Sequence, residues 1–315
     1  MFKQSIQKGL VNGLKTTWTL GKIIFPVTLI VYFLQFTPVL PWLIKIVSPF
    51  MGLLGLSGDA AIPIVLGNLL NLYAGIGAIL TLDLTVKEVF IIAVMLSFSH
   101  NLLIESSVAI KAGVKLWVIL SVRIGLAIVS AILINLIWHG GSQLAKYGLV
   151  PKTVDEPNGL WQILLEGLEK AAIGVFQLAV IVIPLMIMIQ ILRDIKWLDV
   201  FSKWMAPVTK MLGMRPNTST TLAAGLLFGL AFGAGVLIQS IQEDGVDKRD
   251  ATVAFIFLVA CHAIIEDTLI FIPLGIPIIP LFFIRLLTAI LLTLVVANIW
   301  KRVNAQGKKE PSYES

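Results

Sequence analysis

Long apolar segments constrain this chain more than any other feature of its sequence. Six stretches approach or exceed the roughly 20 apolar residues that a helix needs to cross the hydrocarbon core of a bilayer. They are residues 20–37, 89–97 with a continuation past a polar break to 113, 116–138, 172–192, 252–275 and 278–300. Because water is absent at that depth, the backbone must satisfy its own hydrogen bonds, which a helix does within one segment. We therefore predict an all-α integral membrane protein.

Composition and charge agree with that class. Charged residues make up only 13% of the 315 residues, about half their share in soluble domains. The net charge of +6 comes from loop lysines and arginines, which set membrane orientation, so we predict no nucleic-acid partner. The single cysteine, Cys261, excludes an internal disulfide and a cysteine-rich metal cluster. Residues 1–17 carry three lysines on an amphipathic pattern without a cleavage site, so we interpret them as an interfacial segment before the first span.

The chain contains an internal repeat that covers nearly its whole length. At an offset of 158 residues, glycines and prolines recur in order: Gly9 with Gly167, Pro26 with Pro184, Pro49 with Pro207, Gly55 with Gly213, Gly67 with Gly225 and Gly75 with Gly233. Four extra residues near 240–245 shift the offset to 162, where the matches are His100 with His262, Glu105 with Asp267 and Arg123 with Arg285. Apolar matches are common in membrane proteins, whereas ordered matches of these residue types are not. We infer two copies of one membrane unit.

Each copy predicts the same five elements. A spanning helix comes first, and a short amphipathic helix at the membrane interface follows at 41–56 and 197–214. A glycine-punctuated apolar stretch (59–82 and 219–241), a helix interrupted by polar residues (86–112 and 250–273) and a last span complete each copy. The predicted organisation is a first membrane repeat at 1–139, an extracytoplasmic linker at 140–158, a second repeat at 159–303 and a cytoplasmic tail at 304–315.

Loop charges predict how the copies lie in the membrane. If the glycine-punctuated stretches turn back as re-entrant hairpins, 17 of the 22 loop lysines and arginines lie on the cytoplasmic side, against 14 if both stretches span. The positive-inside rule favours the hairpins. Each copy then crosses three times, so the second copy enters from the opposite face. We predict an inverted-topology repeat, a common architecture of secondary transporters, in a bacterial-type cell membrane with both termini cytoplasmic.

The predicted hairpin tips carry residues that suit either a ligand or close packing. Asn68 and Asn71 are amides in an apolar stretch, and each needs a partner there, either a polar ligand or a structural cross-link. In the second copy Gly225, Gly229 and Gly233 form a small-xxx-small series. Such a series serves helix packing in membranes or brings bare backbone close to a ligand. Both readings stay open.

Ionisable residues interrupt the fourth element of each copy, where they are expensive and mark functional sites. The candidate residues are His100, Asn101, Glu105 and Ser106 in the first copy and His262, Glu266, Asp267 and Thr268 in the second. His262 and Glu266, four residues apart, would share one face of a continuous helix, whereas His100 and Glu105, five apart, fit a broken one. We predict either a substrate site where the copies meet or satisfaction of each histidine within its own break.

Arg123 and Arg285 stand about eight residues into the last spans, roughly 12 Å deep at 1.5 Å per residue. They can snorkel, contact an anionic solute, or pair with Glu105, Glu266 or Asp267; we predict structural ion pairs. The sequence has no phosphate loop, nucleophile elbow or metalloprotease helix. We therefore predict no enzymatic activity and no cofactor.

These motifs resemble the nucleoside-recognition, or gate, domain family. The resemblance lies in Gly67-Asn-Leu-Leu-Asn-Leu-Tyr-Ala-Gly75, in Ser99-His-Asn-Leu-Leu-Ile-Glu-Ser106 and in their second-copy partners, and it covers most of residues 9–300. Similar proteins include spore maturation proteins A and B, the scaffold of concentrative nucleoside transporters and the membrane part of the bacterial ferrous iron transporter. The resemblance implies a re-entrant hairpin beside a broken helix, duplicated with inversion. In the nucleoside transporters these elements hold sugar and base, and their hairpin has a Gln-Thr-Glu cluster where this chain has Asn68 and Asn71.

Three functions follow from these observations. The first is a secondary transporter for a small polar solute, with a nucleoside-like solute as one possibility. It would work by alternating access, with a proton or sodium as the coupling ion and with Glu105 and Asp267 as the coupling groups. The second is a divalent-metal permease using His100, Glu105, His262, Glu266 and Asp267, since imidazole and carboxylate suit first-row metals. The third is a non-transporting partner in a membrane assembly. The expected partners are the lipid bilayer, a small solute or ion, and, in a homo-oligomer, a second copy of the chain.

Overall fold

The computed structural model of the protein describes residues 2–148, 159–231, 234, 237–238, 241 and 244–307. Across these residues the structure is helical, and its one β-feature is an isolated bridge between Thr85 and Leu144. In the described part of the chain, six helical stretches are long and apolar enough to cross a membrane, namely Phe2–Leu34, Val86–Lys111, Leu116–Ile137, Leu160–Leu192, Lys248–Leu269 and Ile278–Arg302. The predicted all-α membrane class is confirmed. Linker residues 149–158 and tail residues 308–315 lie outside the described residues.

The α-helices are numbered here in chain order. They are α1 Phe2–Leu34, α2 Val39–Leu53, α3 Ala61–Leu69, α4 Leu72–Ile79, α5 Val86–Ser99, α6 Leu102–Lys111, α7 Leu116–Ile137, α8 Leu160–Asp194, α9 Trp197–Met211, α10 Ser219–Phe228, α11 Lys248–Cys261, α12 Glu266–Leu269 and α13 Ile278–Gly307. Short 3₁₀ turns at Gly58–Ala60 and Pro216–Thr218 lead into α3 and α10, and a third follows α12 at Ile272–Leu274.

The chain divides into two compact units. The first comprises Met1–Ile104, Arg123–Lys196 and Ile265–Phe283, and the second comprises Glu105–Val122, Trp197–Ile264 and Ile284–Ser315. Within the first unit α1 packs along α8, α3 packs on α4 and α5, and α4 packs on α1. Within the second unit α10 packs on α9 and α11. Each unit thus holds one predicted hairpin stretch next to the helix that carries a predicted break.

Helices α1 and α8 pack antiparallel along most of their length. The close approaches are Gly9 to Ile187, Gly13 to Ile183, Gly21 to Val175 and Gly167 to Leu29. A Cβ atom on Gly9 would lie 2.5 Å from the Cα of Ile187, so glycine is required there. Helix α1 runs unbroken from Phe2 to Leu34 and packs on α8 at Gly9 and Gly13, so residues 2–17 lead into the first span without a break. Their location at the membrane interface stays a prediction.

The predicted interruptions appear as helix ends. Helix α3 ends at Leu69, and the side chain of Asn71 caps α4 by accepting a hydrogen bond from the Ala74 N–H at 3.0 Å. Such caps supply a partner for one of the free N–H groups at a helix start. In the second repeat α10 ends at Phe228, and the next residue, Gly229, has a φ of 73° that suits glycine. Most of the chain from 232 to 243 lies outside the described residues, and Gly233 is among those positions.

Candidate functional site

The break of the first repeat lies between α5 and α6. Asn101, two residues after the end of α5, has a φ of 52°, a left-handed conformation that asparagine tolerates better than most residues. Its N–H donates to the Gly67 carbonyl at 2.9 Å. The Nδ1 atom of His100 lies 2.7 Å from the Leu96 carbonyl oxygen of the preceding turn. The break is therefore hydrogen-bonded to α3 and to its own preceding helix, α5.

The break of the second repeat has the same local geometry at the matched positions. Ala263 has a φ of 40°, and its N–H donates to the Gly225 carbonyl at 3.0 Å. The Nδ1 atom of His262 lies 2.9 Å from the Leu258 carbonyl oxygen. Because the chain turns here and α12 begins only at Glu266, the prediction that His262 and Glu266 share one face of a continuous helix is wrong.

Glycines bring the hairpins close to the broken helices. A Cβ atom on Gly67 would lie 2.5 Å from the Leu96 side chain, and one on Gly225 would lie 2.4 Å from the Leu258 side chain. After the end of α10, a Cβ on Gly229 would lie 3.1 Å from the Cβ of Ala263. These three glycines therefore allow α3 and α10 to pack closely against the broken helices.

Two buried arginines bind the carbonyl groups at these breaks. Arg123 donates from Nε to the Phe98 carbonyl at 3.0 Å and from a terminal nitrogen to the His100 carbonyl. Arg285 donates to the His262 carbonyl at 2.6 Å. The last carbonyls of a helix lack partners within it and carry partial negative charge, which a guanidinium satisfies. The ion pairs that we predicted for both arginines stay a prediction.

A histidine side chain of each repeat lies near a carboxylate of the other repeat. In the second unit, Nε2 of His262 lies 3.3 Å from an Oε atom of Glu105, and both side chains are buried. In the first unit, a ring nitrogen of His100 and a carboxylate oxygen of Asp267 lie within 4.8 Å of each other. His100 matches His262, and Glu105 matches Asp267, so each histidine meets the carboxylate of the other copy. Such crossed pairs can hold or exchange a proton and can accept hydrogen bonds from a solute.

Comparison with known families matches the chain in two separate ranges. A family model described as nucleoside recognition, or gate, matches residues 17–121 and 175–275, which together exceed half of the chain. The chain belongs to the gate family. Each matched range contains one hairpin stretch and one broken helix. The gate-family resemblance predicted from the sequence is confirmed.

One relative of this gate-family chain is an uncharacterized membrane protein, YvoD, from Bacillus subtilis (strain 168). The two are 62% identical over 309 residues, which cover 98% of this chain and 99% of that protein. No solved structure matches the chain. These comparisons establish a membrane protein with a nucleoside-recognition gate domain.

One polar contact in the gate domain was not predicted from the sequence. The hydroxyl of Tyr73, on α4, donates to an Oε atom of Glu266 at 3.0 Å, and both residues are buried. Sequence analysis placed Glu266 in the site but gave no role to Tyr73. A tyrosine inside an apolar hairpin was the available signal, since a buried phenol usually has a hydrogen-bond partner. Of the remaining predicted residues, Ser106 and Thr268 are buried at the matched positions that follow Glu105 and Asp267.

Proposed function

We propose that this gate-family protein is a secondary transporter that moves a small polar solute by alternating access where its two repeats meet. The supporting observation is the pair of buried, broken helical stretches with ionisable side chains at their breaks. Within Val86–Lys111 and Lys248–Leu269, 83% and 78% of an 18-residue apolar segment is buried, against 22% in Leu116–Ile137. The broken stretches are thus interior elements. Ionisable groups placed inside a membrane protein mark substrate and ion pathways.

The packing of α1 on α8 supports an inverted repeat. Pro26 of α1 and Pro184 of α8 stand at matched positions, so the two helices are equivalent elements of the two copies. Equivalent helices that pack antiparallel are related by a two-fold axis across their length. If both cross the membrane, the copies enter it from opposite faces, as in many secondary transporters. The excess of basic residues on one side then favours cytoplasmic termini.

Helix lengths support a re-entrant hairpin in the first repeat. Helix α3 has nine residues and α4 has eight, which is about 13 Å each at 1.5 Å per residue. The hydrocarbon core is about 30 Å thick, so neither helix can cross it alone. The two helices pack on each other, since a Cβ atom on Gly75 would lie 3.3 Å from the Cα of Gly67. Irregular backbone at such a tip is tolerated where it lies inside protein or lines a cavity.

The crossed histidine–carboxylate pairs are contacts that can differ between the two conformations of an alternating-access transporter. Each pair joins one repeat to the other, so relative movement of the repeats breaks or forms it. A ligand shifts such an equilibrium only through contacts that differ between the states. In this proposal protonation of Glu105 or Asp267 changes its pairing with histidine, which couples a proton to the movement. These carboxyl groups are the coupling groups of the proposal.

A binding screen followed by a flux assay tests the proposal. The purified protein is melted with nucleosides, small carboxylates and divalent metal ions, because a ligand that binds the folded state raises the melting temperature. Each stabilising compound is then tested for uptake into proteoliposomes. We expect at least one organic solute to stabilise the protein and to be taken up with saturation. Uptake of a metal ion alone would favour a permease, and binding without any flux would favour a role in an assembly.

A further inference from the structure

The turn that follows α9 brings basic residues from three helices together. It lies at Gly213, whose N–H donates to the carbonyl of Lys210, near the end of α9, at 3.0 Å. Arg249 of α11 donates from Nη1 to the Gly213 carbonyl at 2.8 Å. A Cβ atom on Gly213 would lie 4.0 Å from Nη2 of Arg249 and 4.0 Å from Cε of Lys301 on α13. All these residues belong to the second unit, so one turn of that unit is flanked by three basic residues.

This turn stands at the ends of two stretches that are long enough to cross a membrane. Arg249 is the second residue of Lys248–Leu269, and Lys301 is the last but one of Ile278–Arg302. Basic side chains at the ends of spans reach the level of the lipid headgroups. Helix α9 has 15 residues, about 22 Å at 1.5 Å per residue, and so cannot cross a hydrocarbon core of about 30 Å. We therefore expect α9 and the turn to lie at the membrane interface.

Helix α9 has one face that packs on protein and another that is exposed and apolar. Ser202 and Thr209 are buried, and the Ser202 hydroxyl lies 3.1 Å from the hydroxyl of Ser219 at the start of α10. On another side of the helix, Trp204 and Met211 are each 61% exposed. They are seven residues apart, nearly two helical turns, so they share a face. Exposed tryptophan is typical of the membrane–water interface, which makes lipid the expected neighbour of this face.

The matched turn of the first repeat has the same backbone but fewer charges. It lies at Gly55, whose φ of 75° is close to the 82° of Gly213. A Cβ atom on Gly55 would lie 2.2 Å from the side chain of Asn135, which fills the space beside that turn. The matched residues, second repeat first, are Lys210 with Gly52, Arg249 with Lys87 and Lys301 with His139. The turn therefore forms without two of its three basic residues, and the fold does not explain them.

We infer that this turn binds the phosphate group of an anionic phospholipid, with the acyl chains of that lipid against the Trp204 face of α9. Basic pockets beside membrane-spanning helices bind anionic headgroups, and each basic residue near the surface strengthens such binding by about 5-fold. Asp250 pairs with Arg249 at 2.7 Å and offsets its charge, so Lys210 and Lys301 supply the net charge of the site. The site does not depend on which solute the protein binds.

Quenching of tryptophan fluorescence by brominated lipids tests this site. The full-length protein is placed in phosphatidylcholine nanodiscs that contain phosphatidylglycerol or phosphatidylcholine with brominated acyl chains, at equal mole fractions. The same measurement on Trp204→Phe, which keeps an aromatic ring, gives the part of the signal that comes from Trp204. The test variant combines Lys210→Gln with Lys301→Gln, and the control combines Lys45→Gln with Lys115→Gln. All four lysines are exposed, so both variants remove the same charge without disturbing the core.

We expect phosphatidylglycerol to associate with the Trp204 face about 5-fold or more strongly than phosphatidylcholine in the wild type and in the control, the effect of a single lysine. In the test variant the two lipids should associate within about 2-fold of each other. In the wild type the preference should also fall in about 1 M salt, where the screening length is about 3 Å. The inference is overturned if the wild type shows no preference, if the test variant keeps it, or if salt leaves it unchanged.

A soluble phosphate ester distinguishes a lipid from a free phosphate as the occupant. Glycerol 3-phosphate carries the phosphate group without acyl chains, so it should not displace brominated phosphatidylglycerol from the Trp204 face. Displacement at a concentration equal to that of the lipid would assign the turn to a soluble phosphate and overturn the lipid assignment.

Discussion

Replacement of Arg123 by methionine tests how the break of the first repeat is held. Methionine keeps an unbranched apolar side chain, though a shorter one, and has no hydrogen-bond donor. The Phe98 and His100 carbonyls at the end of α5 would lose the guanidinium that they bind in the structure. Arg123 is fully buried, so solvent in the folded state cannot replace it. The change therefore leaves both buried carbonyl oxygens without this donor and removes the positive charge beside them.

The expected loss follows from these two contacts. A hydrogen bond from a charged donor contributes about 1.5–3 kcal/mol, and two such bonds join Arg123 to the Phe98 and His100 carbonyls. Favourable interaction with the negative end of α5 adds about 0.5–1 kcal/mol. Relief from burying a charge offsets part of this sum. We expect Arg123→Met to lower the free energy of unfolding by about 3 kcal/mol, and Arg123→Lys by about half of that, because lysine offers one ammonium group instead of a planar fork.

Reversible unfolding in mixed detergent micelles measures these differences. Lys87→Met is the matched control, since Lys87 is only half-buried and donates to a single carbonyl, that of Asn135, at 3.2 Å. We expect this change to lower the free energy of unfolding by less than about 1 kcal/mol. If Arg123→Met lowers the free energy of unfolding no more than this control, or if Arg123→Lys lowers it as much as Arg123→Met, then the guanidinium does not stabilise the end of α5.

Three further predictions concern other parts of the molecule. Cysteines introduced at Lys203 and Lys210 should resist an impermeant thiol reagent added from outside intact cells, because both positions are cytoplasmic in the inverted topology; external labelling would contradict it. Glu105→Gln and Asp267→Asn should keep solute binding and lose most of the uptake rate and its pH dependence, and unchanged uptake in both variants would make the carboxyl groups structural. Tyr73→Phe should lower the free energy of unfolding by about 1.5–3 kcal/mol, since the Glu266 carboxyl loses its donor, and a change within measurement error would show that this contact contributes nothing.

The sequence predicted the helices and their breaks well because these depend on local signals. Glycines, prolines and ionisable residues interrupt apolar runs at the same places in both copies, and the structure ends α5 at Ser99 and α11 at Cys261. The sequence did not reveal the tertiary packing at the N-terminus. The amphipathic lysine pattern predicted a segment that leads into the first span, and the structure shows that this segment also packs on α8, with Gly9 against Ile187.

The partners of the site residues could not be predicted from the sequence. Spacing along one helix suggested Glu266 for His262, whereas the structure pairs His262 with Glu105 of the other copy. The Tyr73–Glu266 contact joins residues 193 positions apart. Such pairs depend on how the two copies fold together, and a periodicity or a motif within one copy does not contain that information.

Alternating access to a solute is measured by a counterflow experiment in proteoliposomes. Vesicles that contain the protein are loaded with an unlabelled solute identified by the binding screen and are diluted into a trace of the labelled compound. In wild-type vesicles we expect transient accumulation of label above its equilibrium level, because a carrier exchanges inner for outer solute. No accumulation, with the protein folded and the solute bound, would contradict it.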